Sequence, residues 1–277
     1  MYPYLYIAGH AFSTYYLMAI LAGIVGYILS VIKLKPLLSS WERRLLPLGL
    51  IVFAIVGARL LNAILNPNEY KKGFHVWTLT YSKLSLMGGL VLGVLGILLF
   101  CLIRKKDPRK IADAFVIPCA CGIVILKIGC FLNGCCFGKH TTRPWGMVFP
   151  ANEKLHDFID PLGIIYQGNH AVHPTQLYEI LGVLIALTLA LILKKKLEDG
   201  GAAAVFAGAF SIARWIVMPF RSFSYPKYIL NIVYPLFYAA IILVSFGYVI
   251  YSFRKAEKSS AKSDQNIIVS INATKNP

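Results

Sequence analysis

Seven apolar runs, each close to twenty residues long, divide this chain at roughly 12–32, 46–66, 85–103, 111–131, 175–193, 202–220 and 230–252. A helix rises about 1.5 Å per residue, so ~20 apolar residues cross the hydrocarbon core of a bilayer. Inside lipid every backbone N–H and C=O must find its partner within the segment, and for runs of this length a helix meets that demand. The pattern predicts an all-α polytopic membrane protein with seven transmembrane helices. Composition closes off the other classes. Of 277 residues, 57% are hydrophobic and only 14% charged, and the mean hydropathy is +0.65; a soluble domain carries about 25% charge. Lys and Arg outnumber Asp and Glu by 28 to 12. They stand in short clusters between apolar runs, not along one solvated face, so no nucleic-acid partner is expected. No basic leader or cleavage site follows Met1, and the first run is expected to be retained as a span. Pro36, Pro47, Pro67, Pro108, Pro174 and Pro226 fall at or near connections, while Pro118 and Pro219 fall inside expected spans.

The basic residues choose an orientation. Lys33, Lys35, Arg43, Arg44, Arg104, Lys105, Lys106, Arg109, Lys110, Lys194, Lys195 and Lys196 share one side with Arg254, Lys255, Lys258, Lys262 and Lys275 of the tail. Lys71, Lys72, Lys83, Lys139, Arg143, Lys154, Arg221 and Lys227 share the other. Seventeen against eight places the first side in the cytoplasm, with the N-terminus outside and the C-terminus inside. Residues 1–256 are then one seven-helix domain. Residues 257–277 are expected to be a polar, disordered cytoplasmic tail. The long segment of about 131–173 holds Trp145, Phe149, Phe158, Ile164, Ile165 and Tyr166, which is too apolar for plain disorder, so an extracytoplasmic cap or interfacial arm is expected.

Arg59, Lys127, Arg214 and Glu179 lie within apolar runs. A charge at bilayer depth costs ~2.5–3.5 kcal/mol on the insertion scale, so it has a partner or a task. The topology brings all four, with Tyr15, Gly88, Gly89 and Arg221, to the outer half of the bilayer. One reading is an ion-pair network that only holds helices together. The other is an anion site, because Arg59, Lys127, Arg214 and Arg221 outnumber the single acid; a phospholipid phosphate would restore balance.

Two segments carry unusual chemistry. In Lys127-Ile128-Gly129-Cys130-Phe131-Leu132-Asn133-Gly134-Cys135-Cys136-Phe137-Gly138 a helix ends in glycine-rich backbone, which frees N–H groups for an anion. The vicinal cysteines read either as small residues in a tight turn or as a nucleophile helped by Lys127, Lys139 or His140. No four-ligand zinc spacing is visible, so no metal is expected, and no cofactor. In His173-Pro174-Thr175-Gln176-Leu177-Tyr178-Glu179 the proline suits a first helical turn. His173 is either a proton carrier or a hydrogen-bonded structural residue.

These two segments, in this order, resemble the prolipoprotein diacylglyceryl transferase family. The resemblance runs over about residues 12–250 and includes Tyr15 with Leu17-Met18, Gly57-Ala58-Arg59-Leu60, Gly88-Gly89-Leu90, Arg214-Trp215 and Arg221. It implies a multi-pass enzyme of the bacterial inner membrane. Such an enzyme moves the diacylglyceryl group of phosphatidylglycerol onto the lipobox cysteine of a prolipoprotein signal peptide. On that basis Lys127, Arg214 and His173 are taken as catalytic, and Tyr15, Arg59, Gly88, Gly89, Asn133, Glu179 and Arg221 as substrate-binding. The chain departs from the family pattern at five places. Met87 stands where the pattern has a histidine before Gly-Gly, and Lys127 where it has an arginine. Cys130 replaces an asparagine, Cys135 an acid, and Met218 the acid one turn after Arg214. The Gly-Cys-Cys-Phe-Gly string resembles a divergent branch of the family. The alternative reading is a non-catalytic or differently specialised phospholipid-binding homologue.

Overall fold

A computed structural model describes residues 4–7, 10–65, 85–149, 170–222 and 228–275. Seven helices long and apolar enough to cross a membrane follow one another: α1 Thr14–Lys33, α2 Glu42–Leu65, α3 Leu86–Arg104, α4 Pro108–Asn133, α5 Thr175–Leu193, α6 Gly201–Val217 and α7 Tyr234–Lys275. They correspond one to one with the seven apolar runs. A short antiparallel hairpin, β1 Tyr4–Ile7 and β2 His10–Ser13, precedes α1. The sequence reading did not anticipate it; two strand-like runs around Ala8-Gly9 were its signal.

Proline explains two differences in boundary. α6 gives way to a 3-10 turn over Met218–Phe220, because Pro219 has no N–H to continue the α-helical ladder. α2 starts a turn earlier than expected, at Glu42, and so takes in Pro47 near its start. Ser39 serves this end: its backbone N–H and its Oγ both donate to Glu42 Oε2, at 3.0 and 2.9 Å. At the other end of the chain, α7 runs to Lys275, into the segment 257–277 where a disordered tail was expected. No Gly or Pro interrupts the sequence between Gly247 and Pro277, so no residue there breaks the helix.

The helices pack through small residues and present large ones outward. α1 lies on α4, α2 on α3, α4 on α5 and α6, and α6 between α5 and α7. Val183, Ala186 and Ala190 of α5 are fully buried against Ala202, Phe206 and Phe210 of α6 and Val116 and Ala120 of α4. Gly182 allows α6 close, since a Cβ there would sit 2.6 Å from that of Ala213. Outward, Ile20, Ile24, Ile28 and Ile32 form an exposed stripe along α1 at a spacing of four, each between 49% and 60% accessible. Small residues inside and branched apolar residues outside is the arrangement of a bundle solvated by lipid. The bundle has a cation-rich end, at the α1–α2, α3–α4 and α5–α6 connections, and an opposite end that carries the residues following α4.

Candidate functional site

The segment after α4 is built by two unusual backbone conformations. Gly134 takes φ +72° as the C-cap of α4, and the N–H of Cys135 closes onto the Cys130 carbonyl at 3.0 Å. Cys136 follows at φ +61°, a left-handed conformation that a residue with a Cβ rarely adopts. The chain therefore turns back over the end of α4 and meets the start of α5. Gln176 Nε2 donates to the Cys135 carbonyl at 2.7 Å, and Thr175 Oγ1 to the Cys136 carbonyl at 2.8 Å. The Gly138 N–H donates to the His173 carbonyl at 2.8 Å, and the His173 N–H to the Lys139 carbonyl at 3.0 Å. The two signature segments are thus one hydrogen-bonded unit. Gly138 is required there: a Cβ would come within 2.8 Å of His173 Cβ and Thr175 Cγ2 and closer still to the Phe220 carbonyl oxygen.

Beyond this unit the expected cap takes partial form. Bridges His140–Val172, Met147–Val172 and Gly138–Arg221 hold it together, and Phe149 is buried with Phe131, Phe137, Met147 and Val172. Phe158, Ile164, Ile165 and Tyr166 lie outside the described residues, as do Lys71, Lys72, Lys83, Lys154 and Lys227.

Beneath the unit lies an ionic centre. Glu179, 2% exposed, sits one turn into α5. Lys127 Nζ is 2.6 Å from its Oε2, while Arg214 Nη1 and Arg221 Nη1 lie 2.5 and 2.6 Å from its Oε1. Three helices and the residue after the Met218–Phe220 turn supply these charges, and all four side chains are largely shielded from solvent. Among the described residues, three cations surround one carboxylate and leave the centre with excess positive charge. Of the two pairings open to Glu179 in an ion-pair network, with Arg59 or with Arg214, the structure makes the second and adds Arg221, because α5 and the end of α6 pack together. Tyr238 of α7 lies close enough to Arg214 to act on it electrostatically. Asn133, the last residue of α4, is 2% exposed, and its Nδ2 has no hydrogen-bond partner among the described residues.

The remaining expected residues occupy the neighbouring layer. Tyr15 lies at the start of α1, where α1 passes Gly129; a Cβ on that glycine would stand 3.9 Å from Tyr15 Cα. Arg59 is buried in α2 beside Ala58, whose carbonyl accepts from the Ser85 N–H at 3.0 Å. Gly88 and Gly89 do packing work. A Cβ on Gly88 would strike the Gly57 carbonyl oxygen, and one on Gly89 would lie 3.1 Å from that of Ala54. They let α3 and α2 approach closely. Met87 is buried with Ile229, Tyr234 and Tyr238, and Met218 packs against the same cluster. Met87 and Met218 therefore share one apolar cluster.

His173 stands just before α5, its Nδ1 3.0 Å from the Tyr178 hydroxyl. Trp145 Nε1 donates to that hydroxyl at 2.8 Å. Phe220 packs edge-on against both the His173 and Tyr178 rings. Burial, with the charge of Arg143 adding to it, holds the imidazole pKa below its ordinary value. A cavity of 590 Å³ opens beside this trio, lined by Pro144, Trp145, Gly146, Met147, Pro174, Leu177 and Tyr178. Sequence reasoning singled out neither the Trp145–Tyr178 pairing nor Tyr238. It also saw no metal-ligand set, whereas the turn after α4 brings the sulfurs of Cys130, Cys135 and Cys136 within 4.8 Å of one another.

Fold and site together define a multi-span membrane protein with a buried, net-cationic centre at one end of its bundle, under a cap tied to two signature segments. The prolipoprotein diacylglyceryl transferase family profile matches residues 3–253, and the chain belongs to that family. The phosphatidylglycerol–prolipoprotein diacylglyceryl transferase of Treponema denticola is 29% identical over 198 residues, 60% of this chain and 59% of that protein. The protein of the same name from Prochlorococcus marinus strain MIT 9211 is 29% identical over 228 residues, 73% of this chain and 72% of its own. That of Synechococcus sp. strain CC9902 is 29% identical over 184 residues, 62% and 61%. The chain thus spans about three fifths of the length of the first and third of these relatives.

Proposed function

We propose that this protein transfers the diacylglyceryl group of phosphatidylglycerol to the lipobox cysteine of prolipoproteins. The observation that supports this reading best is the excess of buried cations around Glu179 in a chain of this family. The leaving group of the reaction is a glycerol phosphate, whose negative charge grows as the carbon–oxygen bond breaks. Preorganised cations stabilise charge that develops in a transition state. Lys127, Arg214 and Arg221 hold the phosphate, with the Asn133 amide donating to it, and Glu179 keeps the cations apart and fixed. Tyr15, Arg59, and Gly88 and Gly89 near the start of α3 border the lipid. His173 orders the cap through Tyr178 and carries protons. The basic-residue count supports placing the site end outside a bacterial inner membrane, where phospholipid enters sideways and the signal peptide reaches it from the bilayer.

The test is a membrane assay with labelled phosphatidylglycerol and a lipobox peptide. The expected product is the thioether-linked peptide, and Lys127→Ala is expected to abolish it. No product, beside an active family enzyme as control, overturns the reading.

A second reading rests on Met87 and Met218, which fill one apolar pocket with Tyr234 and Tyr238 where the family pattern has polar groups. On this reading the chain binds phospholipid without transferring it. Retention of phosphatidylglycerol on the purified protein without turnover would favour it.

A further inference from the structure

The turn after α4 gathers three thiols for which neither the ionic centre nor the cap has a use. Cys130 and Cys135 are buried and Cys136 is exposed. Their sulfurs lie within 4.8 Å of one another. We propose that Cys130, Cys135 and Cys136 form a three-thiolate site for a divalent d10 cation of the zinc class, with its fourth position open to the acceptor thiol.

Four features carry the proposal. First, three sulfurs converge, where a packing turn needs none and a disulfide needs two. Zinc–sulfur bonds of about 2.3 Å set tetrahedral ligands a little under 4 Å apart, so the sulfurs have to close by no more than about 1 Å. Second, the convergence depends on Cys136 standing at φ +61°; in an ordinary extended or helical conformation its side chain would leave α4. Third, the carbonyls of Cys135 and Cys136 are each held by a side chain of α5, Gln176 and Thr175. Such bonds behind the ligands fix their direction before a metal arrives. Fourth, three thiolates and a divalent cation carry one net negative charge. Lys127, one turn before Cys130 on α4, and Arg221, whose backbone pairs with Gly138 just after Cys136, offset it. Soft thiolates select zinc-class and copper(I) cations over magnesium or calcium. The exposure of Cys136 leaves an approach for a fourth ligand.

The identity of that ligand rests on the transfer reading above. Acceptor chemistry needs a thiolate, and Met87 cannot take its proton. A thiol bound to a metal is deprotonated outright. Its proton passes to water on binding. The bound sulfur then supplies the electron pair of the new S–C bond as the C–O bond to the phosphate breaks, and the glycerol phosphate leaves with that bond's electrons. Nothing is oxidised or reduced, and the cation is retained by its three cysteines. The ionic centre lies about one helical turn away along both α4 and α5, ~5 Å.

The test uses the full chain, purified under reducing conditions and desalted after exposure to zinc(II) or cadmium(II). Elemental analysis is expected to find one metal per chain, and cadmium to give a thiolate charge-transfer band. Cys136→Ser, at an exposed position, and Cys130→Ser are each expected to lower affinity at least tenfold. Cys101→Ser, Cys119→Ser and Cys121→Ser are expected to leave it unchanged, with elution profiles confirming the fold. A lipobox peptide added to the cadmium form is expected to raise the charge-transfer band by about a third, and its serine version to leave it unchanged. Absence of stoichiometric metal, or binding indifferent to Cys130→Ser and Cys136→Ser, overturns the site, as does a stable disulfide within the trio on isolation. Thiol capture without lipid transfer would sink the transfer reading and leave the site standing. Full transfer by the double variant Cys130→Ser/Cys136→Ser would do the reverse.

Discussion

The two ends of the bundle handle charge in opposite ways. At the cation-rich end, where bases outnumber acids, three acids each meet a single base. Arg104 pairs with Glu42 at 2.7 Å, Lys255 with Glu198 at 3.3 Å and Lys110 with Asp199 at 3.7 Å. Asp113 spends its carboxylate on the N–H groups of Gly200 and Ala203, at 2.9 and 2.8 Å, and so caps α6. The basic partners in these pairs are about half exposed, and water solvates whatever the partner leaves. At the other end one carboxylate, 1% exposed at its side chain, faces three cations of 9–14% exposure. The same kinds of residue make both arrangements. The difference is solvent: water makes stoichiometry unimportant at one end, and burial makes it decisive at the other. An exposed one-to-one pair accounts for itself, whereas a buried three-to-one centre calls for an anion.

The sharpest way to break this contrast is to remove the acid at each end. Glu179→Leu leaves three buried cations without their shared partner, and a stability loss of ~3–5 kcal/mol is expected, read as a large drop in thermal midpoint in detergent. Asp199→Asn, by contrast, is expected to give no resolvable shift, because Asp199 and Lys110 are each half exposed and Lys110 turns to water. Equal losses at the two ends would remove the distinction.

Arg221→Gln sharpens the comparison from the other side. It reduces the excess of cations while Lys127 and Arg214 still satisfy Glu179. Folding is expected to hold, and affinity for phosphatidylglycerol over a zwitterionic phospholipid to fall by about tenfold or more, from the ~1.5–3 kcal/mol of a hydrogen bond to a charged group. Unchanged lipid preference in a retention assay would mean that the excess charge binds no anion.

Gly138→Val tests the frame above the centre. The added side chain meets the Phe220 carbonyl, His173 and Thr175 at once. Overpacking of this kind costs ~1–3 kcal/mol. No glycine at the cation-rich connections is clasped between two signature segments in this way, so the loss is expected to include looser protease protection of the cap.

The same contrast explains which parts of the molecule could be read from sequence. Hydropathy and length mark the seven spans because each helix meets lipid by itself. That Lys127, Glu179 and Arg214 lie toward one end of the bundle follows from counting residues along helices that alternate in direction. Which of them touch does not, because it depends on helix rotation and packing: Glu179 reaches Arg214 and Arg221, while Arg59 lies in the adjoining layer. The cysteine trio was illegible for a different reason. Cys130, Cys135 and Cys136 have no recognisable ligand spacing until Gly134 and Cys136 both turn left-handed. Gly88 and Gly89 carried a family role in sequence and a close α2–α3 crossing in structure, since a glycine that admits a ligand and one that admits a helix look alike.

The smallest expected effect concerns His173, the ionisable group between the buried centre and solvent. Burial and Arg143 lower its pKa in the folded protein, so the unfolded chain binds the proton more readily. Stability then rises with pH through this group. Its contribution is fully present above the ordinary histidine value of about 6.5 and is lost as pH falls from there toward the lower folded value. Protonation also makes Nδ1 a donor, which leaves the Tyr178 hydroxyl to accept from both His173 and Trp145. Acidification across this window is therefore expected to lower the thermal midpoint modestly and loosen the cap around Trp145, seen as a shift in tryptophan emission. His173→Gln keeps a side-chain partner for Tyr178 and removes the titration. It is expected to flatten that pH dependence while leaving the midpoint at neutral pH nearly unchanged. A slope that persists in His173→Gln would assign it to other groups and separate the cap from the centre beneath it.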